Sequence, residues 1–142
     1  MKKFSILLSA CALCVASSGA IAHEYYAKSF KVIHPWAEPS ASGDKDAAVY
    51  VVFDEISGAD RLLAAHTSLA AKVELRGAAA TGDAVLRKIE LVSGKTLTLS
   101  PDSAHLLLIN LKAPLQAGRS YPMTLEFEKA GPVQVMISIG AH

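Results

Sequence analysis

MTLEFEKAGPVQVMISI, residues 123–139, is the stretch that decides the fold. Met123, Leu125 and Phe127 alternate with Thr124, Glu126 and Glu128. After Ala130-Gly131-Pro132, Val133, Val135, Ile137 and Ile139 alternate with Gln134, Met136 and Ser138. Successive side chains of a strand point to opposite faces, so a period of two marks a strand with one apolar and one polar face. Gly and Pro between two such runs make them a hairpin.

The same signal recurs outward from this hairpin. Residues 105–111 (HLLLINL) are nearly all apolar, as a buried strand would be. Leu97 and Leu99 alternate with Thr96 and Thr98. Residues 85–91 read as a strand with Lys88 and Glu90 on one face and Val85, Ile89 and Leu91 on the other. Residues 48–53 (AVYVVF) are β-branched and aromatic, with Asp54-Glu55 after them. Turn residues separate the runs: Ser57-Gly58, Gly82-Asp83, Ser93-Gly94, Ser100-Pro101-Asp102 and Ala117-Gly118. Strands punctuated about every ten residues predict an all-β chain folded as an antiparallel sandwich or Greek-key barrel. We expect about seven to nine strands over residues 30–139. Val51, Phe53, Leu97, Leu99, Leu125, Phe127, Val135 and Ile137 should lie in its core. Residues 69–72 have room for one helical turn, and no long amphipathic helix is expected.

The N-terminus carries an export signal. Lys2 and Lys3 precede an apolar run at residues 4–15, and Ala20-Ile21-Ala22 offers small residues at −3 and −1. Signal peptidase accepts that pattern, so cleavage is expected after Ala22. The run is shorter than the roughly 20 residues that span a bilayer, which argues against a retained anchor. Leu8-Ser9-Ala10-Cys11 gives a second reading, a lipoprotein box that would leave Cys11 lipidated. Cleavage after Ala22 leaves residues 23–142 as a single domain with one core. It removes Cys11 and Cys14, and with them any disulfide or thiolate chemistry. It also takes Lys2 and Lys3 from the chain's 14 basic residues, against 13 acidic ones. A near-neutral domain without a basic cluster excludes nucleic acid as the expected partner. The chain has no GxSxG, P-loop, GxGxxG or HExxH, so no enzyme activity is expected.

An ordered set of segments resembles the PCu(A)C-type periplasmic copper chaperones. His34-Pro35-Trp36-Ala37 is similar to their HPWAR opening, Ala48-Val49-Tyr50 to GAAY, Asp60-Arg61-Leu62-Leu63 to DRLVGA and Lys72-Val73-Glu74-Leu75 to KVELH. Pro114-Leu115 with Gly118 resembles PLKEGD, and residues 125–131 (LEFEKAG) resemble LTFEKAG. The resemblance runs from His34 to Ile139 and implies a cupredoxin-like Greek-key β-sandwich. It implies a role in carrying Cu(I) through the periplasm toward the CuA centre of cytochrome oxidase. That subunit, or another periplasmic copper protein, would be the partner.

The family's ligands are a His with a Met soon after, a Met on the next strand, and a His-x-Met pair. Thioether and imidazole suit Cu(I). By the resemblance, the first His position is Arg76, followed by Gly77 and three alanines. The second-strand Met falls at about Lys88, and the pair becomes His105-Leu106-Leu107. His105 is the only ligand that matches. Arg76 offers no lone pair. Arg76 and Lys88, expected to gather with His105, would repel an incoming cation by about 4 kcal/mol per charge at 4 Å and an effective dielectric near 20.

Other histidines offer a second copper site. Cleavage after Ala22 would make His23 the N-terminus, where its α-amine and Nδ1 end a five-atom segment that can chelate Cu(II). His34, His66 or His142 would add a ligand. Tyr25, Tyr26, Phe30 and Trp36 read as an aromatic cover for the open end of the sandwich, or as a contact surface for a partner. Three functions remain open. The chain is a copper carrier with a weakened or moved site, a pseudo-chaperone that keeps the fold for protein binding, or a binder of a small anion on Arg76, Lys88 and His105.

Overall fold

The computed structural model describes residues 23–140. The signal segment at residues 1–22, with Cys11 and the Ala22 cleavage point, and His142 lie outside the described residues. The elements in chain order are β1 (Glu24–Tyr26), β2 (Lys31–Ala37), β3 (Asp46–Asp54), β4 (Asp60–His66) and β5 (Ala70–Arg76). A single 3-10 turn, Ala79–Thr81, leads to β6 (Val85–Leu86), β7 (Ile89–Leu91), β8 (Leu97–Leu99), β9 (His105–Leu111), β10 (Ser120–Phe127) and β11 (Gly131–Ile139).

Hydrogen bonding runs along the order β6-β5-β9-β3-β2-β11-β10-β4-β7, with β1 on β2 and β8 on β3. Strand β3 belongs to both layers. Its first half pairs with β9 and its second half with β8, while β2 takes the other edge. The hairpin read from the sequence is β10–β11, in register from Ser120↔Ser138 to Phe127↔Gly131. One pairing departs from the antiparallel expectation: Ser138↔Trp36 and Ile139↔Ala37 join β11 to β2 in parallel. The closing strand reaches β2 by a long crossover rather than a tight turn, and a crossover permits parallel pairing.

The eleven strands among the described residues exceed the seven to nine expected. The surplus is strands of two or three residues. The run 85–91 accounts for one of them: Leu86 pairs with Leu75 of β5, whereas Ile89 pairs with Leu62 of β4. The chain crosses from one sheet to the other at Arg87-Lys88, so it is not one strand with one polar face. Residues 70–72, expected within a helical turn, begin β5 instead. Ala70 pairs with Leu111 and Lys72 with Ile109 of β9, in the ladder that runs on to Arg76↔His105, and one helical turn could not match its hydrogen bonds.

The core holds Phe30, Phe53 and Phe127, whose ring centroids lie 6.1, 4.7 and 5.8 Å apart in edge-on or tilted pairs. Burying each such ring contributes about 2–3 kcal/mol relative to exposure. Of the residues expected inside, all but Leu97 are buried, and Leu97 is half-buried. It lies at the start of the three-residue strand β8, opposite Phe53.

Candidate metal face

Register assembles this face. On β5, Arg76 stands opposite His105 of β9 and Val85 of β6, and Glu74 stands opposite Leu107. Directly paired residues share a face. Arg76, Glu74, Val85, His105 and Leu107 therefore lie on one side, while Leu75 and Leu106 are buried on the other. Trp36 of β2 pairs with Tyr50 of β3, with ring centroids 4.9 Å apart. Tyr50 continues the row to the His105 ring at 6.4 Å. Burial, then the charge of Glu38, pushes the Tyr50 hydroxyl pKa up.

Acids hold Arg76 in place. Its Nε donates to Glu74 Oε2 at 3.0 Å, and its Nη1 donates to the Asp83 carbonyl at 3.0 Å and to Asp83 Oδ2 at 3.2 Å. Lys72 sits 2.9 Å from the other Glu74 oxygen. The Lys72 ammonium holds the Glu74 carboxyl below its usual range; burial opposes it and Arg76 adds to it. Gly82, at φ 93°, and Asp83, at φ 49°, turn the chain back over Arg76. The His105 Nδ1 lies 3.2 Å from the Ser103 carbonyl. A carbonyl only accepts, so that nitrogen carries the proton of the bond and Nε2 is left facing Asp83 Oδ1 at 3.4 Å. That Asp83 oxygen is buried and has no hydrogen-bond donor. An imidazolium or another cation would supply what it lacks.

Of the three cations expected to converge, the structure brings Arg76 and His105 together and not Lys88. The Lys88 ammonium lies 3.1 Å from Glu90. Glu90 also pairs with Arg61 at 2.9 Å, and Arg61 with Glu128 at 2.8 Å. The reason is the sheet crossing at Arg87-Lys88, which sends Lys88 toward the β4–β7–β10 surface. The β6 residue in register with Arg76 is Val85, 62% exposed. The anion pocket fails for the same reason, and because Glu74 and Asp83 already occupy the Arg76 guanidinium. Glu74, Asp83, Val85 and Tyr50 went unread as members of this face. The signal that could have found Asp83 is an acid in a Gly-Asp turn seven residues after an arginine.

The donors present do not fit Cu(I). The face offers one imidazole and carboxylate oxygens beside a guanidinium, and no thioether. Met123 is buried in the core on β10, and Met136 is on β11. Among the described residues no group of three or more His, Cys, Asp or Glu gathers where it could hold a metal.

The other candidates lie apart. His66 is exposed, 3.5 Å from Glu126. His23 and His34 meet across the β1–β2 ladder, where the His34 amide donates to the His23 carbonyl at 2.9 Å. The four aromatics do not form one cover. Phe30 is core, Trp36 joins the Tyr50 row, the Tyr25 hydroxyl accepts from the Met136 amide at 2.9 Å, and Tyr26 is exposed beside Glu24.

The profile of the family described as "Putative lipoprotein LpqE-like" matches residues 30–139. The chain belongs to this LpqE-like family, a PCuAC-type family. A relative described as "Putative lipoprotein Lxx21020", from Leifsonia xyli subsp. xyli, is 29% identical over 77% of this chain and 68% of its own length. Among solved structures, the copper-bound PCuAC domain from PmoF2 is 27% identical with a TM-score of 0.75, covering 84% of this chain and 99% of that domain. The apo PCuAC domain from PmoF1 is 32% identical at the same TM-score, covering 84% of this LpqE-like chain and 100% of its own. The Cu(I) form of DR1885 from Deinococcus radiodurans, at 22% identity and a TM-score of 0.67 over 86% of this chain and 82% of that one, shares the fold. The cupredoxin-like β-sandwich expected from the sequence is the fold of this LpqE-like chain.

Proposed function

We propose that this LpqE-like chain is an exported, non-enzymatic copper-handling protein whose inherited face no longer holds Cu(I) tightly. Arg76 carries the reading. A side chain without a lone pair stands in register with His105, tied to Glu74 and Asp83, on a face with no sulfur ligand. The copper-bound PmoF2 domain supports copper as the family cargo. Its recipient would be a CuA subunit of cytochrome oxidase or another exported copper protein. The relatives described as lipoproteins support export. Two processing readings stand, lipidation at Cys11 and cleavage after Ala22. We adopt cleavage after Ala22, where Ala20-Ile21-Ala22 offers small residues at −3 and −1. Among the described residues no helix is long and apolar enough to cross a membrane.

A second reading has its own observation. The Trp36–Tyr50–His105 row and exposed Val85 form a partly apolar surface with little to offer a metal. That suits a pseudo-chaperone that retains protein binding alone.

The test is to rebuild the site. Arg76→His, Val85→Met and Leu107→Met together place two thioethers and a second imidazole on the His105 face. Cu(I) competition against a chromogenic chelator should show a gain of at least about a thousandfold. The same set with Lys88→Met in place of Val85→Met should gain far less, because position 88 belongs to the Glu90 cluster. Equal gains from both sets would refute the register assigned to this face. A parent chain that already binds as tightly as the rebuilt one would refute the weakened site.

A further inference from the structure

The geometry points to the cleft between β1 and the first half of β11 as a docking site for an extended, acidic peptide strand of a partner protein. The inference goes beyond the copper reading and does not depend on it. Strand β2 has β3 on one edge. Its other edge is shared, with β1 against residues 31–33 and β11 against Trp36 and Ala37. Strand β1 and residues 131–135 of β11 therefore face each other, and among the described residues no ladder joins them. The bond across the gap comes from a side chain: the Met136 amide donates to the Tyr25 hydroxyl at 2.9 Å. Beside it lies a cleft of about 550 Å³, lined by residues 24–28, Ala130 and residues 132–134.

Both walls offer backbone that a strand can pair with. In a strand the N–H and C=O of one residue point to the same edge, and those of the next residue to the other. The His34 amide donates to the His23 carbonyl and the Ala27 amide to the Phe30 carbonyl, each at 2.9 Å, so His23, Tyr25 and Ala27 face β2. Glu24 and Tyr26 then turn their peptide groups toward the cleft. On β11 the Gly140 amide donates to the Ala37 carbonyl at 3.0 Å, as that of Met136 does to Tyr25. The Ile139 amide turns the other way, to the Arg119 carbonyl on the β10 side. Even-numbered positions of β11 thus face the cleft, where Gln134 presents N–H and C=O and Pro132 presents C=O. An added strand would be held by main-chain bonds from both walls. Tyr26, 70% exposed, gives it an aromatic contact.

Charge selects the occupant. The acid of the cleft, Glu24, is already matched by the Lys31 ammonium at 3.6 Å and accepts from the Tyr26 hydroxyl at 3.0 Å. Past Lys28 and Ala130 the cleft runs into a second hollow of about 360 Å³, which Lys129 lines together with Ser29 and Ser57. Lys28 and Lys129 are both exposed. The carboxylate beside Lys129, Asp60, is buried and already accepts three amide bonds. Two lysines at one end of the cleft fit an acidic residue at one end of a strand of about four or five residues. Proline and lysine on an edge oppose self-pairing, and a second copy would set lysine against lysine. The occupant is therefore a different protein.

The probes are fluorescent hexapeptides of alternating valine and threonine that end in two aspartates or in two lysines, each made with the charged pair at either terminus. Anisotropy with the mature chain should show the better aspartate peptide binding roughly tenfold more tightly than its lysine counterpart, with the advantage shrinking as salt is raised. Lys28→Glu together with Lys129→Glu should invert the preference. The amide resonances of Glu24, Tyr26 and Gln134 should shift on binding. Gln134→Pro removes an edge N–H that the β10 ladder does not use, and should weaken binding roughly tenfold. No binding of either aspartate peptide would overturn the proposal, as would a preference that survives the charge swap or shifts confined to the Tyr50–His105 face. A concentration-dependent dimer in analytical ultracentrifugation that shifts the same three amides would overturn it in favour of a second copy.

Discussion

Among the described residues, Asp60 is the charged side chain that is fully buried, and both of its oxygens are used. Oδ1 accepts from the Arg61 and Lys129 amides at 2.8 and 2.9 Å, and Oδ2 from the Ala130 amide at 2.9 Å. The bonds pin the start of β4 to the β10–β11 turn. Burial pushes this carboxyl's pKa up, but the three N–H bonds outweigh it and bring it below the ordinary value. Asp60→Ala leaves three amides without an acceptor and should cost about 3 kcal/mol in urea unfolding at pH 7. A depressed folded-state pKa gives stability that is present above the unfolded value, near 4, and lost as pH falls through the folded value. The gap between parent and Asp60→Ala should therefore narrow at pH 3, and a gap that widens there would contradict this account. Sequence reading placed Asp60 in a family-like segment but not in the interior, since nothing in a lone acid announces buried amides waiting for it. Asp83 escaped for a different reason: its role depends on a left-handed turn that folds it back onto an arginine seven residues earlier.

At the scale of elements, β9 shows what was legible and what was not. HLLLINL reads as a buried strand, yet its faces differ: Leu106 and Leu108 are fully buried and Leu107 is on the half-buried metal face. An all-apolar run hides its own period, so only the pairing with β5 separates the two faces. Leu106→Ala or Leu108→Ala should each cost about 3 kcal/mol, and Leu107→Ala less than about 1. Urea midpoints check this, and equal losses at 106 and 107 would contradict the assigned faces. Arg76 at the end of β5 and His105 at the start of β9 were both found through the resemblance. Val85 was not, because its register depends on Gly77, the 3-10 turn and the sheet crossing at Arg87-Lys88, none of which has a periodic signature. The exposed ion cluster of Arg61, Lys88, Glu90 and Glu128 looks substantial but lies in solvent. Arg61→Ala should shift stability by no more than about 1 kcal/mol.

For the whole molecule, period-two runs and turn residues sufficed to predict the sandwich, because hairpins and alternation are local. Parallel closure of β11 on β2, and the sharing of β3 between layers, are set by long-range packing and left no mark on any single run. The same division holds for function. Family segments spread over the chain point to a copper carrier, while a handful of side chains decide whether it still carries Cu(I). The most direct measurement is the Cu(I) affinity of the mature parent chain, by competition with a chromogenic chelator, beside its His105→Ala variant. The account predicts weak binding, with the chelator keeping its Cu(I) and little difference between the two proteins. Tight binding by the parent that His105→Ala abolishes would contradict it.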